Sequence, residues 1–79
     1  MNKQDTLSKL QEIVQDITGD DETKLTLNTV AEDVDNWDSI NHIKIILAVE
    51  SEFDVSFEAD EVGSIKGVRS LVDLIAAKL

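Results

Sequence analysis

The sequence predicts an all-α fold, a four-helix bundle with three longer helices, one short helix and a long first loop. Three segments place apolar residues at helical spacing, proline is absent, and the one brief strand-like alternation, at 23–27, has no partner segment. A chain of 79 residues forms one domain, 1–79, because a second domain would be too short to bury its own core. Since the chain has no cysteine, helix packing rather than disulfides must stabilise this bundle.

The first predicted helix carries apolar residues on one face, separated by acidic, basic and amide side chains. It begins near Asp5 or Thr6, either of which can cap it, and it ends at Gly19, the residue type that commonly ends helices. Its apolar face consists of Leu7, Leu10, Ile13, Val14 and Ile17.

A long connection over residues 20–38 follows the first helix. A structureless loop of this length is uncommon in a compact domain and is usually functional. Its spaced apolar residues predict that it lies across the bundle and is pinned to it. These residues are Leu25, Leu27, Val30, Val34 and Trp37.

The second predicted helix begins at the Asp38–Ser39 boundary and extends to Phe53. Short oxygen-bearing side chains at such a boundary can accept a hydrogen bond from an unpaired backbone N–H. Ile45 and Ala48 widen the apolar face of this helix. We therefore expect it to be the most buried of the helices.

Two further helices are predicted in the C-terminal third of the chain. A short acidic helix covers Ser56–Gly63, with a serine cap at its start and a glycine at its end. The last helix follows Gly67 and runs from Val68 to Leu79. The core residues predicted on the last three helices and their connections are Ile43, Ile46, Leu47, Phe53, Val62, Ile65, Leu71 and Ile75.

The chain is strongly acidic, with 17 acidic and 7 basic residues and a formal net charge of −10. Such a charge repels nucleic acids and anionic membranes, and it steers a protein toward partners with basic patches. No apolar run approaches the roughly 18 residues of a membrane span, and the acid-containing N-terminus lacks the apolar segment of a signal peptide. We therefore expect a soluble, cytoplasmic monomer that binds no nucleic acid and does not span a membrane.

Residues suited to catalysis or to metal binding are few. His42 lies three residues after Ser39, but no oxyanion hole or pocket is evident beside them. A Ser–His hydrolase is therefore rejected, and His42 is interpreted as an exposed helix residue. The acids of Asp33–Asp38 begin like a calcium loop, yet Trp37 occupies the fifth position and no glycine stands at the sixth. We expect neither an enzyme nor a metal site.

Ser39 has two interpretations. A serine at a loop-to-helix boundary is most often a helix cap. Its hydroxyl would also lie at an exposed junction where backbone N–H groups and the helix dipole favour an attached phosphate. The residues alone leave both interpretations open.

The segment around this serine resembles the attachment motif of acyl carrier proteins, in which Asp-Ser-Leu is the usual form. Here Asp38-Ser39-Ile40 follows a long acidic loop and leads into an apolar helix ending at Phe53, and the similarity covers essentially the whole chain. It implies that a phosphopantetheinyl transferase recognises Asp38 and moves 4′-phosphopantetheine from coenzyme A to Ser39. The thiol of this arm then carries acyl groups as thioesters, which suits a chain without cysteine.

The resemblance also implies where partner enzymes dock. Enzymes with basic docking patches load and process the acyl group, contacting the second helix and the short helix. The implied contact residues are Ile40, Glu50, Glu52, Glu58, Asp60 and Glu61. Acids are more frequent on the second helix of general fatty acid carriers than in this chain, which has Asn41, His42, Lys44 and Ser51 there. This difference favours a specialised, stand-alone carrier for a dedicated pathway.

Two alternatives to an acyl carrier remain. A stand-alone peptidyl or D-alanyl carrier would share the fold and the modified Ser39 but hold a different cargo. Acidity and a bundle able to take lipid favour acyl groups in fatty acid, lipid or polyketide-type biosynthesis. A helical interaction module would instead use Ser39 only as a cap, so that Ser39→Ala would cost about 1 kcal/mol of stability and change nothing else.

Overall fold

The computed structural model describes residues 2–79, so Met1, the first residue of the predicted domain 1–79, lies outside the described residues. Within 2–79 the chain forms a bundle of four α-helices, with a single 3-10 turn in the long first loop. The helices are α1 (Lys3–Thr18), α2 (Ser39–Phe53), α3 (Ala59–Ser64) and α4 (Val68–Lys78), and the 3-10 turn is Ala31–Asp33. The predicted all-α architecture, with three longer helices and one short helix, is confirmed.

Helix α1 begins earlier than its apolar pattern predicts. The Oδ1 atom of Asn2 accepts a hydrogen bond from the Asp5 backbone N–H at 2.8 Å, so Asn2 rather than Asp5 or Thr6 is the cap. The Thr6 hydroxyl donates to the Asn2 carbonyl within the first turn. Gly19 ends the helix as predicted, in the left-handed conformation at φ 76° that a residue without Cβ adopts readily.

The core lies where α2 and α4 pack against α1. The predicted apolar faces of α1 and α4 supply most of the fully buried side chains, because each of these helices has one clear apolar stripe. The largest side chains with essentially no exposure are Leu10, Val14, Ile45, Val49, Val68, Leu71, Val72 and Ile75.

Helix α2 is not the most buried helix, and two of its predicted core residues lie outside the core. Ile43 and Leu47 are 50% and 60% exposed, whereas Ile45, Ile46 and Val49 face inward. The reason is that α2 is apolar around most of its circumference, so the spacing of its residues does not single out the face that packs. Val62 of α3 is also less buried than predicted, being half-buried.

The long first loop crosses the bundle, as predicted, and is held at both ends. At one end the Leu25 backbone N–H donates to the Gln11 side chain at 2.8 Å. At the other end a short antiparallel bridge joins Val30 to Gly67 at the start of α4. Leu25, Val34 and Trp37 are buried, whereas Leu27 is half-buried and Val30 remains 41% exposed.

Helix α3 is shorter than predicted and is capped differently. Glu58 rather than Ser56 is the cap residue, and Gly63 lies inside the helix instead of ending it. The Glu61 carboxylate accepts a hydrogen bond from the Glu58 backbone N–H at 2.8 Å and pairs with Lys78 at 3.0 Å. A six-residue helix depends on such terminal contacts because it is too short to be stable by itself.

The contacts of Glu61 predict that α3 loosens in acid. Hydrogen bonding from the Glu58 backbone, followed by that from Lys78, holds the pKa of Glu61 below its ordinary value. A lowered pKa stabilises the folded state above the unfolded value of about 4.3, and this contribution is lost as pH falls through the lower, folded value. We expect the ¹³Cα secondary shifts of α3 to decline below about pH 4, in step with the Glu61 titration.

Glu61→Gln is the matched control for this prediction. Its amide oxygen can still accept the Glu58 N–H, but it does not titrate. The shifts of α3 in this variant should therefore lose the component that follows the Glu61 titration. Shifts that decline equally in the variant and in the wild type would show that another group controls α3.

Candidate functional site

The candidate site is the junction between the long loop and α2. Ser39 is the first residue of α2 and is exposed. Asn36, in the left-handed conformation at φ 67°, turns the chain into the helix, and its side-chain amide donates to the Thr18 carbonyl at 3.2 Å. The Asn41 side chain donates back to the Asn36 carbonyl at 2.7 Å. The junction is thus fixed to α1 on one side and to α2 on the other.

Asp38, not Ser39, caps α2. The Asp38 carboxylate accepts a hydrogen bond from the Asn41 backbone N–H at 2.8 Å. Among residues 2–79 we find no hydrogen bond that engages the Ser39 hydroxyl, so the interpretation of Ser39 as the cap is wrong. The cap of α2 is therefore Asp38, and the Ser39 hydroxyl has no hydrogen-bond partner among the described residues.

The helix start also offers unpaired donors. The first backbone N–H groups of a helix have no partner within the helix. The Asp38 side chain and its carbonyl take those of Asn41 and His42, which leaves the N–H groups of Ser39 and Ile40 without an acceptor among the described residues. Together with the positive end of the helix dipole, these groups suit a phosphate esterified to the serine oxygen.

Asp38→Ala is expected to destabilise the bundle by about 1 kcal/mol, because it removes the cap of a main packing helix. Asp38→Asn should stay within about 0.5 kcal/mol of the wild type, since asparagine caps about as well as aspartate. Ser39→Ala should also change little. Urea unfolding followed by circular dichroism measures all three, and a larger loss in Ser39→Ala than in Asp38→Ala would restore Ser39 as the cap.

His42 is a connecting residue rather than the exposed helix residue that the sequence suggests. Its Nδ1 atom accepts a hydrogen bond from the indole Nε1–H of Trp37 at 3.0 Å, and its Nε2 atom lies 3.2 Å from the Val62 carbonyl oxygen. The neutral Nε2–H tautomer satisfies both contacts. Because both nitrogens are engaged, neither is available as a base for Ser39.

Ser39 is one of the residues that line a groove between α2 and α3. The groove has a volume of about 680 Å³ and is open to solvent. Its floor combines the Trp37 and His42 rings with aliphatic side chains from α2, α3 and the following turn. The aliphatic residues are Ile43, Val62 and Ile65.

The acids expected to meet partner enzymes are mostly engaged within the chain. Glu50 accepts the Phe57 backbone N–H at 2.8 Å, and Glu52 pairs with Lys9 at 2.9 Å, which raises the pKa of Lys9 above its ordinary value. Glu58 and Glu61 form the start of α3, as described above. Asp60 is exposed and has no cationic partner among residues 2–79. The structure thus brings Asp38, Ser39 and Ile40 together and distributes the acids over the ends of α2 and α3.

In the described part of the chain, no cluster of histidine and carboxylate side chains could hold a metal ion. The same residues contain no helix that is both long enough and apolar enough to traverse a bilayer.

Comparison with known proteins gives consistent matches over nearly the full chain. The family model described as phosphopantetheine attachment site matches residues 8–75. An acyl carrier protein from Petrotoga mobilis is 35% identical over 79 residues, covering 100% of this chain and 93% of its own length. One from Trieres chinensis is 34% identical, covering 94% of this chain and 92% of its own length.

Solved structures give the same result. The solution structure of a holo acyl carrier protein from Geobacter metallireducens is similar with a TM-score of 0.84 and 36% identity, covering 92% of this chain and 84% of that one. The crystal structure of an acyl carrier protein from Thermotoga maritima is similar with a TM-score of 0.83 at 25% identity, covering 99% of this chain and 91% of that one.

Proposed function

Because the chain belongs to the phosphopantetheine attachment-site family and is one of its acyl carrier proteins, we propose that Ser39 is the residue that carries the covalent 4′-phosphopantetheine arm. The single observation that carries this proposal is the division of roles at the start of α2. Asp38 caps the helix, so the exposed Ser39 hydroxyl has no structural partner among residues 2–79. The unpaired N–H groups of Ser39 and Ile40 and the groove beside them support the same assignment.

Attachment requires one bond to form and one to break. The Ser39 oxygen bonds to the β-phosphorus of coenzyme A, the serine proton leaves, and adenosine 3′,5′-bisphosphate departs. A phosphopantetheinyl transferase supplies the catalytic groups, while this chain supplies the hydroxyl on a rigid helix start. When attached, the arm provides the thiol that holds cargo as a thioester. The chain is therefore a substrate of other enzymes rather than a catalyst.

The proposed cargo is an acyl group of fatty acid, lipid or polyketide-type biosynthesis, in a dedicated pathway. The mainly apolar lining of the groove next to Ser39 supports an acyl chain. A peptidyl or D-alanyl carrier is the alternative. Incubating the holo protein with acyl-transferring and with amino-acid-adenylating enzymes distinguishes an acyl carrier from a peptidyl or D-alanyl carrier. Only the class of enzyme that matches the carrier's cargo forms a thioester on it.

Partner enzymes approach an acidic protein of net charge −10, which steers basic surfaces toward it from a distance. We propose that the carrier works as a monomer in the cytoplasm, encountering each enzyme in turn. Asp38 is the residue next to Ser39 that the transferase would recognise, and Asp60 on α3 is an exposed docking acid that forms no ion pair within residues 2–79.

Intact-mass measurement tests the carrier function. The purified protein is incubated with coenzyme A, magnesium and a broad-specificity phosphopantetheinyl transferase, and its mass is compared before and after. A gain of one phosphopantetheine is expected. No gain by a folded, initially unmodified protein, in a tube where a control carrier is modified, would contradict the proposal and favour the interaction module.

A further inference from the structure

His42 links three elements of the fold that meet near Ser39. Its Nδ1 atom accepts the indole N–H of Trp37 in the long loop at 3.0 Å, and its Nε2 atom lies 3.2 Å from the Val62 carbonyl oxygen of α3. Within residues 2–79 the contact with Val62 is the only hydrogen bond that joins α2 to α3. We call these two contacts, made by Trp37, His42 and Val62, the histidine clasp.

The clasp holds the residue that leads into the attachment motif. Trp37 is 8% exposed and stands directly before Asp38 and Ser39, so its ring fixes the path on which the chain enters α2. A buried N–H group that loses its acceptor is unfavourable, because it is also shielded from water. Loss of the His42 acceptor would therefore displace Trp37 and loosen the junction that presents Ser39.

Protonation of His42 is incompatible with the complete clasp. In neutral imidazole one nitrogen accepts and the other donates, which matches the indole N–H and the Val62 carbonyl, whereas imidazolium donates from both nitrogens. The charged form keeps the Val62 carbonyl as its acceptor but turns a second N–H against the N–H of Trp37. Histidine is the side chain that ordinarily changes its charge between about pH 5 and pH 8. The geometry of the clasp thus makes it sensitive to pH in that range.

Few charges face the clasp. Besides His42, Asp38 is the one charged side chain that lines the groove, and its carboxylate caps α2. Within residues 2–79 no carboxylate forms an ion pair with His42, and the other charged residues of the neighbouring segments do not line the groove. These residues are Glu32, Asp33 and Asp35 in the loop, Lys44 on α2, and Glu58, Asp60 and Glu61 at the start of α3. The proton on His42 itself therefore decides whether Trp37 is held.

We propose that His42 is a positioning residue for attachment at Ser39, and that its neutral form holds the junction through Trp37 while its charged form releases it. The inference rests on the proposed attachment at Ser39. Release of Trp37 is separate from the loosening of α3 that follows the Glu61 titration, because that loosening is expected only below about pH 4. The chain has one tryptophan and one histidine, so each partner gives a single, unambiguous signal.

The first test follows the ¹H–¹⁵N resonance of the Trp37 indole between about pH 8 and about pH 5.5, the range in which histidine titrates. We expect it to move in step with the imidazole ¹³Cε1–H resonance of His42. His42→Asn is the matched control, because its side-chain oxygen is as far from Cβ as Nδ1 and can accept the indole N–H without titrating. The indole resonance of this variant should stay fixed.

The second test is the kcat/KM of a broad-specificity phosphopantetheinyl transferase for this carrier, with coenzyme A, over the same pH range. The pH dependence of the transferase cancels in the ratio of wild type to variant. We expect the ratio of wild type to His42→Asn to fall about threefold toward acid, the size of effect that loss of one hydrogen bond produces. His42→Leu lacks the acceptor at every pH, so the wild type should react about fivefold faster than it at about pH 8 and about equally at about pH 5.5.

The outcomes separate the clasp from the attachment. An indole resonance that stays fixed while His42 titrates, or that moves equally in His42→Asn, would overturn the clasp as a contact sensitive to pH. Ratios of wild type to both variants that do not change with pH would make His42 a purely structural link and overturn its positioning role. A folded protein that gains no phosphopantetheine at any pH, beside a control carrier that does, would contradict attachment at Ser39 and with it the positioning role. The indole resonance would still decide whether the clasp exists.

Discussion

Replacing Ser39 with alanine is expected to abolish phosphopantetheine attachment completely while the bundle stays folded. The loss is total because the Oγ atom becomes part of the ester, and no neighbouring group can replace it. Stability should change by no more than about 0.5 kcal/mol, since Asp38 provides the cap and the Ser39 side chain is exposed. Intact mass after incubation with coenzyme A and a transferase measures the attachment, and urea unfolding measures the free energy of unfolding.

Ser51→Ala is the matched control for this variant. Ser51 is an exposed serine on the same helix, twelve residues further along, so its replacement tests whether the loss of modification is specific to Ser39. It should be modified as completely as the wild type. Modification of Ser39→Ala to any substantial extent would place the arm on another residue.

Replacing Gly67 with alanine is expected to be the most destabilising of the three glycine-to-alanine changes. A Cβ atom there would lie 2.7 Å from the Thr29 carbonyl oxygen and 3.0 Å from the Val30 Cα atom, and both contacts are with backbone. The backbone would have to separate, which strains two hydrogen bonds that pin the long loop to α4. These are Val68 N–H to Thr29 O at 2.9 Å and Ala31 N–H to Lys66 O at 3.0 Å.

We expect a loss of about 3 kcal/mol in the free energy of unfolding and a fall in Tm of roughly 10 °C or more. Gly63→Ala is the matched control, because a Cβ atom at Gly63 meets nothing within 4 Å and the residue lies inside α3. It should stabilise the protein by about 0.5–1 kcal/mol. Equal effects of the two substitutions would contradict the close approach at Gly67.

The fold was largely predictable because its signals are local. One-sided apolar spacing located α1 and α4, and the glycine that ends α1 adopts the left-handed conformation expected of it. The loop was expected to be pinned because its apolar residues needed a place to be buried. Helix boundaries were less predictable, since Asn2 and Glu58 compete with other residues that can also cap.

The orientation of α2 could not be read from the sequence. A helix that is apolar on nearly all sides gives no preferred face, so apolar spacing alone predicts Ile43 and Leu47 in the core although they lie at the surface. The tertiary structure determines which side of α2 meets α1.

The sequence predicts where the site lies in the chain, but it does not predict the contacts that the site residues make. The Asp38-Ser39 motif marked the junction, yet only the hydrogen bonds identify Asp38 as the cap and leave Ser39 free. The contact between Trp37 and His42 depends on how the loop enters the helix, and a spacing of five residues gives no helical reason to expect it. The internal engagement of Glu50 is likewise a tertiary contact, made with the backbone of Phe57.

The most direct test of attachment at Ser39 is to locate the phosphopantetheine arm within the chain. The wild-type protein is modified with coenzyme A and the transferase and is then fragmented in a mass spectrometer. The fragments must be small enough that each contains at most one serine. We predict one phosphopantetheine per chain, on Ser39. An arm on any other residue, or a folded protein that gains no mass while a control carrier in the same tube does, would contradict the assignment.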